Sequence, residues 1–342
     1  MNHFQNLKIP AKVTSIGDKA FANCVGFNGI LSIPNSVKKI GKYAFYRCKG
    51  FTGSLKIPGS VNTIGSHAFY ECSSFSNTLI FEEAKTNWIG LKVQSEQLTR
   101  IEDYTFYGCS GFTGALILPE SINTIGKYAF FNCSSFSSLK ILDSIITINE
   151  SAFHNCCGFK NILDIPNYII TINEYTFANC SSFISTLIIP GSVQYIHNFA
   201  FYNCSSMDGI LNIPDSVTII GEHAFDRCSG FNGLKLPDNI KEINEYTFYN
   251  CKGFKNDLNI PKSITIIKDY AFCKCSHITK LKFSPSIKKI GSHAFEECSM
   301  ISSILKIPNS VEIIDDHAFY NCHSFSSFEL SKGIISINDY AF

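Results

Sequence analysis

The residues most able to do chemistry are the 15 cysteines and 9 histidines of this 342-residue chain. Thirteen of the cysteines form one column, from Cys24 to Cys322; only Cys157 and Cys273 stand outside it. Their spacing is 23 or 24 residues, with a single gap of 37. Zinc sites use closely paired ligands such as C-x₂₋₄-C. Here the nearest pairs, Cys156-Cys157 and Cys273-x-Cys275, lack convergent partners. Disulfides between stacked turns meet a geometric obstacle. Equivalent Cβ atoms point the same way and stay ~4.8 Å apart, beyond the ~3.8 Å a bridge prefers. An odd total also rules out a complete intrachain framework. The expectation is a ladder of free, buried thiols acting as small apolar fillers with a weak donor.

Histidine and serine are columnar too. His67, His223, His293 and His317 share a position with Tyr43, Tyr104, Tyr128, Tyr175, Tyr246, Tyr270 and Tyr340. The shared property is a flat side chain with a polar tip, which suits packing. Ser36, Ser60, Ser121, Ser144, Ser192, Ser216, Ser263, Ser286 and Ser310 form another column. A nucleophile needs a base and an orienting group, and nine repeated copies read instead as hydrogen bonding to turn backbone. No P-loop, G-x-G-x-x-G, H-E-x-x-H or G-x-S-x-G sequence occurs. No enzyme, cofactor or metal site is expected.

The elements that position these columns come from an internal repeat. An Ala/Thr-Phe marker recurs 14 times, from Phe21 to Phe342. Isoleucine precedes every marker by five residues, and cysteine follows the first 13 by three. All 11 prolines lie ten or eleven residues before a marker. The segment F-x-x-L-x-I, as in Phe231, Leu234 and Leu236, has the period of a strand with one buried face. Proline then ends the strand, because it cannot donate to a ladder. Gly17, Gly41, Gly65, Gly126, Gly221 and Gly291 share the position four before the marker with Asn149, Asn173, Asn244, Asn338 and Asp315. These residue types tolerate positive φ, so a left-handed turn is expected there. One unit cannot bury its apolar residues alone, so stability must come from stacking neighbours.

The run Ile57-Pro58-x-Ser60-Val61-x-x-Ile64-Gly65-x-x-Ala68-Phe69-x-x-Cys72 resembles the BspA-like, Treponema-type leucine-rich repeats. The resemblance covers residues 4–342. It implies a leucine-rich-repeat β-solenoid: about 14 turns of 23–24 residues, one concave parallel sheet, and an irregular or short-helical convex side. It also implies surface or secreted proteins of bacteria and parasitic protists, associated with adhesion to host proteins, extracellular matrix or other cells. The family has no catalytic residues to transfer.

Function in solenoids usually lies on the exposed sheet face. The outward position of L-x-I is Lys8, Ser32, Lys56, Ile80, Ile117, Lys140, Asp164, Ile188, Asn212, Lys235, Asn259, Lys282, Lys306 and Glu329. Of these, Lys56, Ile80, Ile117, Lys140, Asp164, Ile188, Lys235, Lys282 and Lys306 are the candidate protein-binding residues. Trp88 joins them from a 13-residue insertion within 82–97 that interrupts the repeat. It can serve binding, as tryptophan often does at hot spots, or fold back over the disrupted turn.

Charge narrows the partner. Lysine and arginine number 29 against 28 acidic residues, without the basic excess of a nucleic-acid binder. Exposed isoleucines beside lysines suit a protein ligand. No run of about 18 apolar residues suggests membrane insertion, and the first residues, MNHFQNLKIP, show no signal peptide. The reading is a single solenoid domain over 1–342 without obvious caps, open to self-association at its ends. It binds host or extracellular proteins at the cell surface, or serves as an intracellular scaffold.

Overall fold

The computed structural model of the protein describes residues 6–83, 97–255, 257–302 and 304–342. They fall into two compact units, Met1–Asn161 and Ile162–Phe342. Each is built from stacked turns in which equivalent residues of successive repeats pair in parallel register.

In the first unit Leu55–Ile57 pairs with Leu79–Phe81, and Ala115–Ile117 with Ser138–Lys140. Leu55 and Ile57 are buried and Lys56 between them is exposed, the alternation expected of a half-buried strand. Pro58 follows directly and ends the strand. In the second unit the same ladder runs through Ile210–Asn212 with Gly233–Lys235, Leu258–Asn259 with Leu281–Lys282, and Leu305–Lys306 with Phe328–Glu329. Bridges join Asp164 to Ile188 and Ile188 to Asn212.

Each turn contributes a second strand, where the repeat pattern pointed to only one. It holds the isoleucine five before the marker. Three such strands pair at Ser15–Ile16, Lys39–Ile40 and Thr63–Ile64. Five pair in the second unit, from Glu242–Ile243 to Ser336–Ile337. The isoleucine faces inward in nearly every copy: Ile40, Ile125 and Ile267 are fully buried. A two-residue strand offers no periodicity to read, so the invariance of this isoleucine was its only trace.

The marker side is irregular, and no helix occurs among the described residues. Backbone donors alternate between two destinations there. Tyr43, Phe45 and Arg47 donate to carbonyls of the next turn, while Ala44, Tyr46 and Cys48 donate three residues back within their own turn. The alternation satisfies every one of these donors. It requires left-handed residues at Tyr43 (φ 56°) and Arg47 (φ 55°).

The left-handed position is therefore two residues before the marker, and again two after it, and the expected glycine column is not left-handed. Glycine is kept there by close approach. A Cβ on Gly126 would lie 2.6 Å from both the Asp103 backbone N and its Oδ1. Asp103 Oδ1 is the acceptor for the Lys127 amide at 2.8 Å. Asp18, Asn198 and Asp269 accept from Lys42, Glu222 and Ser292 in the same way, and Gly41, Gly221 and Gly291 meet the same crowding. Gly17 shares the column, yet a Cβ there meets nothing within 4 Å. Gly126→Ala is expected to cost about 1–3 kcal/mol by overpacking, and Gly17→Ala to stay within about 0.5 kcal/mol. Denaturant unfolding of the two variants checks the contrast.

Apart from Lys19 and Ser151, the left-handed column before the marker carries tyrosine, histidine or phenylalanine, at roughly 1–2 kcal/mol of strain per residue. Ring stacking offsets it, each pair contributing about 0.5–1.5 kcal/mol. In the second unit eight rings stack in sequence: Tyr175, Phe199, His223, Tyr246, Tyr270, His293, His317 and Tyr340, with centroids 4.4–5.0 Å apart. The marker phenylalanines form a parallel stack inside, such as Phe201, Phe225 and Phe248 at 5.3 and 5.7 Å.

Candidate protein-binding face

The cysteine, histidine and serine columns come first, because their chemistry decides what kind of site is open. No disulfide joins any of the fifteen cysteines. Cys72, Cys133, Cys228 and Cys298 donate to the carbonyls of Phe45, Phe106, Phe201 and Phe272, each a marker of the preceding turn, at 3.0–3.2 Å. The thiols are thus fillers with a definite acceptor, and burial pushes their pKa well up. Of the two outside the column, Cys157 is exposed. Cys273 lies 3.6 Å from Glu296, whose carboxylate meets His293 Nδ1 at 2.9 Å. Burial and then Glu296 push the Cys273 thiol upward, the opposite of an activated nucleophile.

His223 pairs with the buried Asp226 at 2.8 Å. Burial pushes the Asp226 carboxyl up, against the pull of His223 and Arg227. Both histidine–acid pairs are made within one marker corner, three residues apart, with the imidazole face taken up by the ring stack. Four serines bond to the backbone of the preceding turn: Ser36, Ser60, Ser121 and Ser192 donate to Val13, Val37, Leu98 and Ile169 at 2.6–2.8 Å. The hydroxyl oxygens of Ser144, Ser216, Ser263 and Ser310 are buried there without a hydrogen-bond partner. No group of three or more metal-ligating side chains occurs among the described residues.

The outward face of the Leu-x-Ile strands is where unspent side chains gather. In the first unit Lys56, Ile117 and Lys140 are exposed, Ile117 by 53%. Ile80 differs from expectation: it is only half-buried, not open. A groove of about 620 Å³ lies over this face, lined by Ile30, Ser32, Lys56, Asn77 and Glu82 among others. A second, of about 320 Å³, involves Phe81, Leu98, Ile117 and Lys140. Ile30 lies outside the centre of L-x-I, the position that alternation within the motif singles out. It stands two positions before Ser32, on the same face, and is 56% exposed. Trp88 lies outside the described residues.

In the second unit Asp164, Ile188, Lys235, Lys282 and Lys306 are all exposed. Ile188 is 65% open to solvent. Ile162 and Ile210, again two positions earlier on their strands, add 51% and 50% exposed side chains to the same face. The bridged order Asp164–Ile188–Asn212 places these isoleucines on neighbouring turns. Lys306 meets Glu329 at 3.3 Å and Lys280 meets Asp257 at 3.5 Å. Such exposed pairs contribute at most about 1 kcal/mol. No helix of the described residues is long and apolar enough to cross a membrane.

Two parallel ladders per turn, phased every 23–24 residues, define a parallel β-solenoid of the leucine-rich-repeat class. The BspA type leucine rich repeat region matches residues 1–90, 80–208, 209–305 and 300–342, and the chain belongs to that family. Among solved structures, a leucine-rich repeat protein from Bacteroides ovatus is similar over 98% of this chain and 85% of its own, at 24% identity and a TM-score of 0.66. A leucine rich cell surface protein from Faecalibacterium prausnitzii covers 96% and 87%, at 23% identity and a TM-score of 0.55. A leucine-rich repeat protein from Eubacterium ventriosum covers 91% and 84%, at 18% identity and the same TM-score. These likenesses establish the fold. Comparison with curated proteins finds no match.

Proposed function

We propose that the chain is a non-enzymatic protein-interaction module that binds host or extracellular proteins, at the cell surface or in secreted form, through the outward face of its Leu-x-Ile strands. A leucine-rich-repeat fold is in itself that of a protein-interaction module. The observation that carries the choice of face is the set of isoleucines held open on it, Ile117 in one unit and Ile188 in the other. Large aliphatics on outward strand positions gain nothing in the isolated chain and about 1.5–3 kcal/mol each when a partner buries them. The reactive residue types, by contrast, are committed to packing and to backbone hydrogen bonds.

The surface location is supported by the family and by the cell surface protein among its structural neighbours. An intracellular scaffold is the second reading, and fifteen cysteines without a disulfide among them favour it, since reduced cysteines are the rule in the cytosol. Fractionation of the producing cells separates the two.

The binding face is tested with Ile188→Arg against a panel of purified extracellular-matrix proteins on a biosensor. The side chain is exposed, so unfolding stability stays within about 0.5 kcal/mol. Affinity for the captured partner falls at least about tenfold. A partner bound equally by both proteins, or no binding from the panel, overturns the proposal.

A further inference from the structure

The outward face of the second unit is not uniform along its turns. Its first turns present Ile162, Ile188 and Ile210, each at least half exposed. Its later turns present Lys235, Lys282 and Lys306, with Lys280 two positions before Lys282 on the same strand face. Asp257 and Glu329 pair with Lys280 and Lys306. Lys235 and Lys282 have no ion pair among the described residues. Four lysines against these two acids leave two uncompensated positive charges.

We propose that this face docks an extended acidic segment of a protein partner, its carboxylates over Lys235, Lys282 and Lys306 and its aliphatic side chains over Ile162, Ile188 and Ile210. The inference rests on the reading that the sheet face is the binding surface.

Dimensions agree with a peptide lying across the strands. Lys235 and Lys306 are three turns apart, ~14 Å at the spacing of paired strands. An extended chain covers that with about four residues. Flexible lysines make point-charge contacts that tolerate variation in a partner's acidic spacing. A nucleic acid fits less well. The whole chain has a formal charge of only +1, while counterion release needs many lysines in a row. A phosphate backbone would also leave Ile162, Ile188 and Ile210 uncovered.

The test pans a display library of random twelve-residue peptides on the whole protein, on Lys235→Glu/Lys282→Glu and on Ile188→Arg. All three side chains are exposed, and thermal melts verify that each variant folds. The wild-type pool is expected to gain Asp and Glu roughly twofold over the unselected library, together with Leu, Ile or Val. The double variant is expected to abolish or reverse the acidic excess. A wild-type pool without acidic excess, or one unchanged by the double variant, overturns the proposal. If that pool is still lost in Ile188→Arg, the sheet-face reading survives while the acidic preference fails. A pool insensitive to all three substitutions overturns both. Salt-sensitive capture of a single-stranded oligonucleotide, lost in the double variant, overturns the choice of a protein segment.

Discussion

Phe225→Ala is expected to remove about 3–5 kcal/mol of stability, the range of a large aromatic taken from a rigid core. Phe225 has no solvent exposure. Its ring lies between Phe201 at 5.3 Å and Phe248 at 5.7 Å, nearly parallel to both. Those neighbours are held by their own stacks and by ladder hydrogen bonds, Phe201 N to Ala224 O and Phe248 N to Ala271 O, both at 2.9 Å. They cannot close the gap, so a cavity term adds to the lost transfer energy. A solenoid raises the consequence, because each turn is stabilised mainly through its two neighbours. The same truncation at Phe199 leaves a half-buried site open to water and costs less. Urea unfolding followed by far-UV circular dichroism measures both. A loss below about 1 kcal/mol for Phe225→Ala would place the stability outside the phenylalanine stack.

The second large effect is on thiol reactivity. Twelve of the fifteen cysteines are buried, Cys24 and Cys322 are half-buried, and only Cys157 is exposed. Cys204 shows the physics. Its thiol donates to the Phe177 carbonyl at 3.2 Å, and burial pushes its pKa up to about 12. The thiolate is the reacting species. Raising the pKa from an ordinary ~8.5 to that level lowers the thiolate fraction at pH 8 by about three orders of magnitude. An aromatic disulfide reagent at pH 8 is therefore expected to consume exposed Cys157 at once and half-buried Cys24 more slowly, and to reach Cys204 and Cys322, both pushed up to about 12, at least ~10³-fold more slowly than Cys157. Guanidinium without reductant should release all fifteen. Fewer than fifteen in denaturant would reveal crosslinks and overturn the free ladder.

Much of the fold was legible because the repeat writes one unit many times. Leu55-x-Ile57 announces its strand by alternation, and Pro58 announces where it stops. The buried Phe69 and Cys72 follow from their columns alone. The second ladder at Ile64 was less visible, since two residues carry no period. The left-handed corner was misplaced for a reason of energy balance. Local preference assigns positive φ to Gly65, yet the chain gives it to His67, with φ 59°. The alternating backbone donors impose it, His67 N reaching Asp103 O of the next turn at 3.1 Å, and Lys19 and Ser151 take the same φ although neither has a ring. The exposed lysines and Ile117 and Ile188 were readable from alternation. Ile80 was not, because its exposure depends on what surrounds its strand as well as on the strand itself.

The cysteine column also bears on how such a chain grows. A disulfide framework demands cysteines in pairs, so adding or losing one turn would strand a partner. Here at least eleven thiols of the column donate to a backbone carbonyl that the preceding turn supplies whatever its sequence. Cys109 still meets Phe69 O at 3.1 Å across 40 residues, where the insertion lengthens the turn between them. Cys133 meets Phe106 O at the same distance across 27. The unit is therefore closed under duplication. A gene encoding it can gain or lose a single repeat, or lengthen a loop, without leaving an unmatched thiol behind.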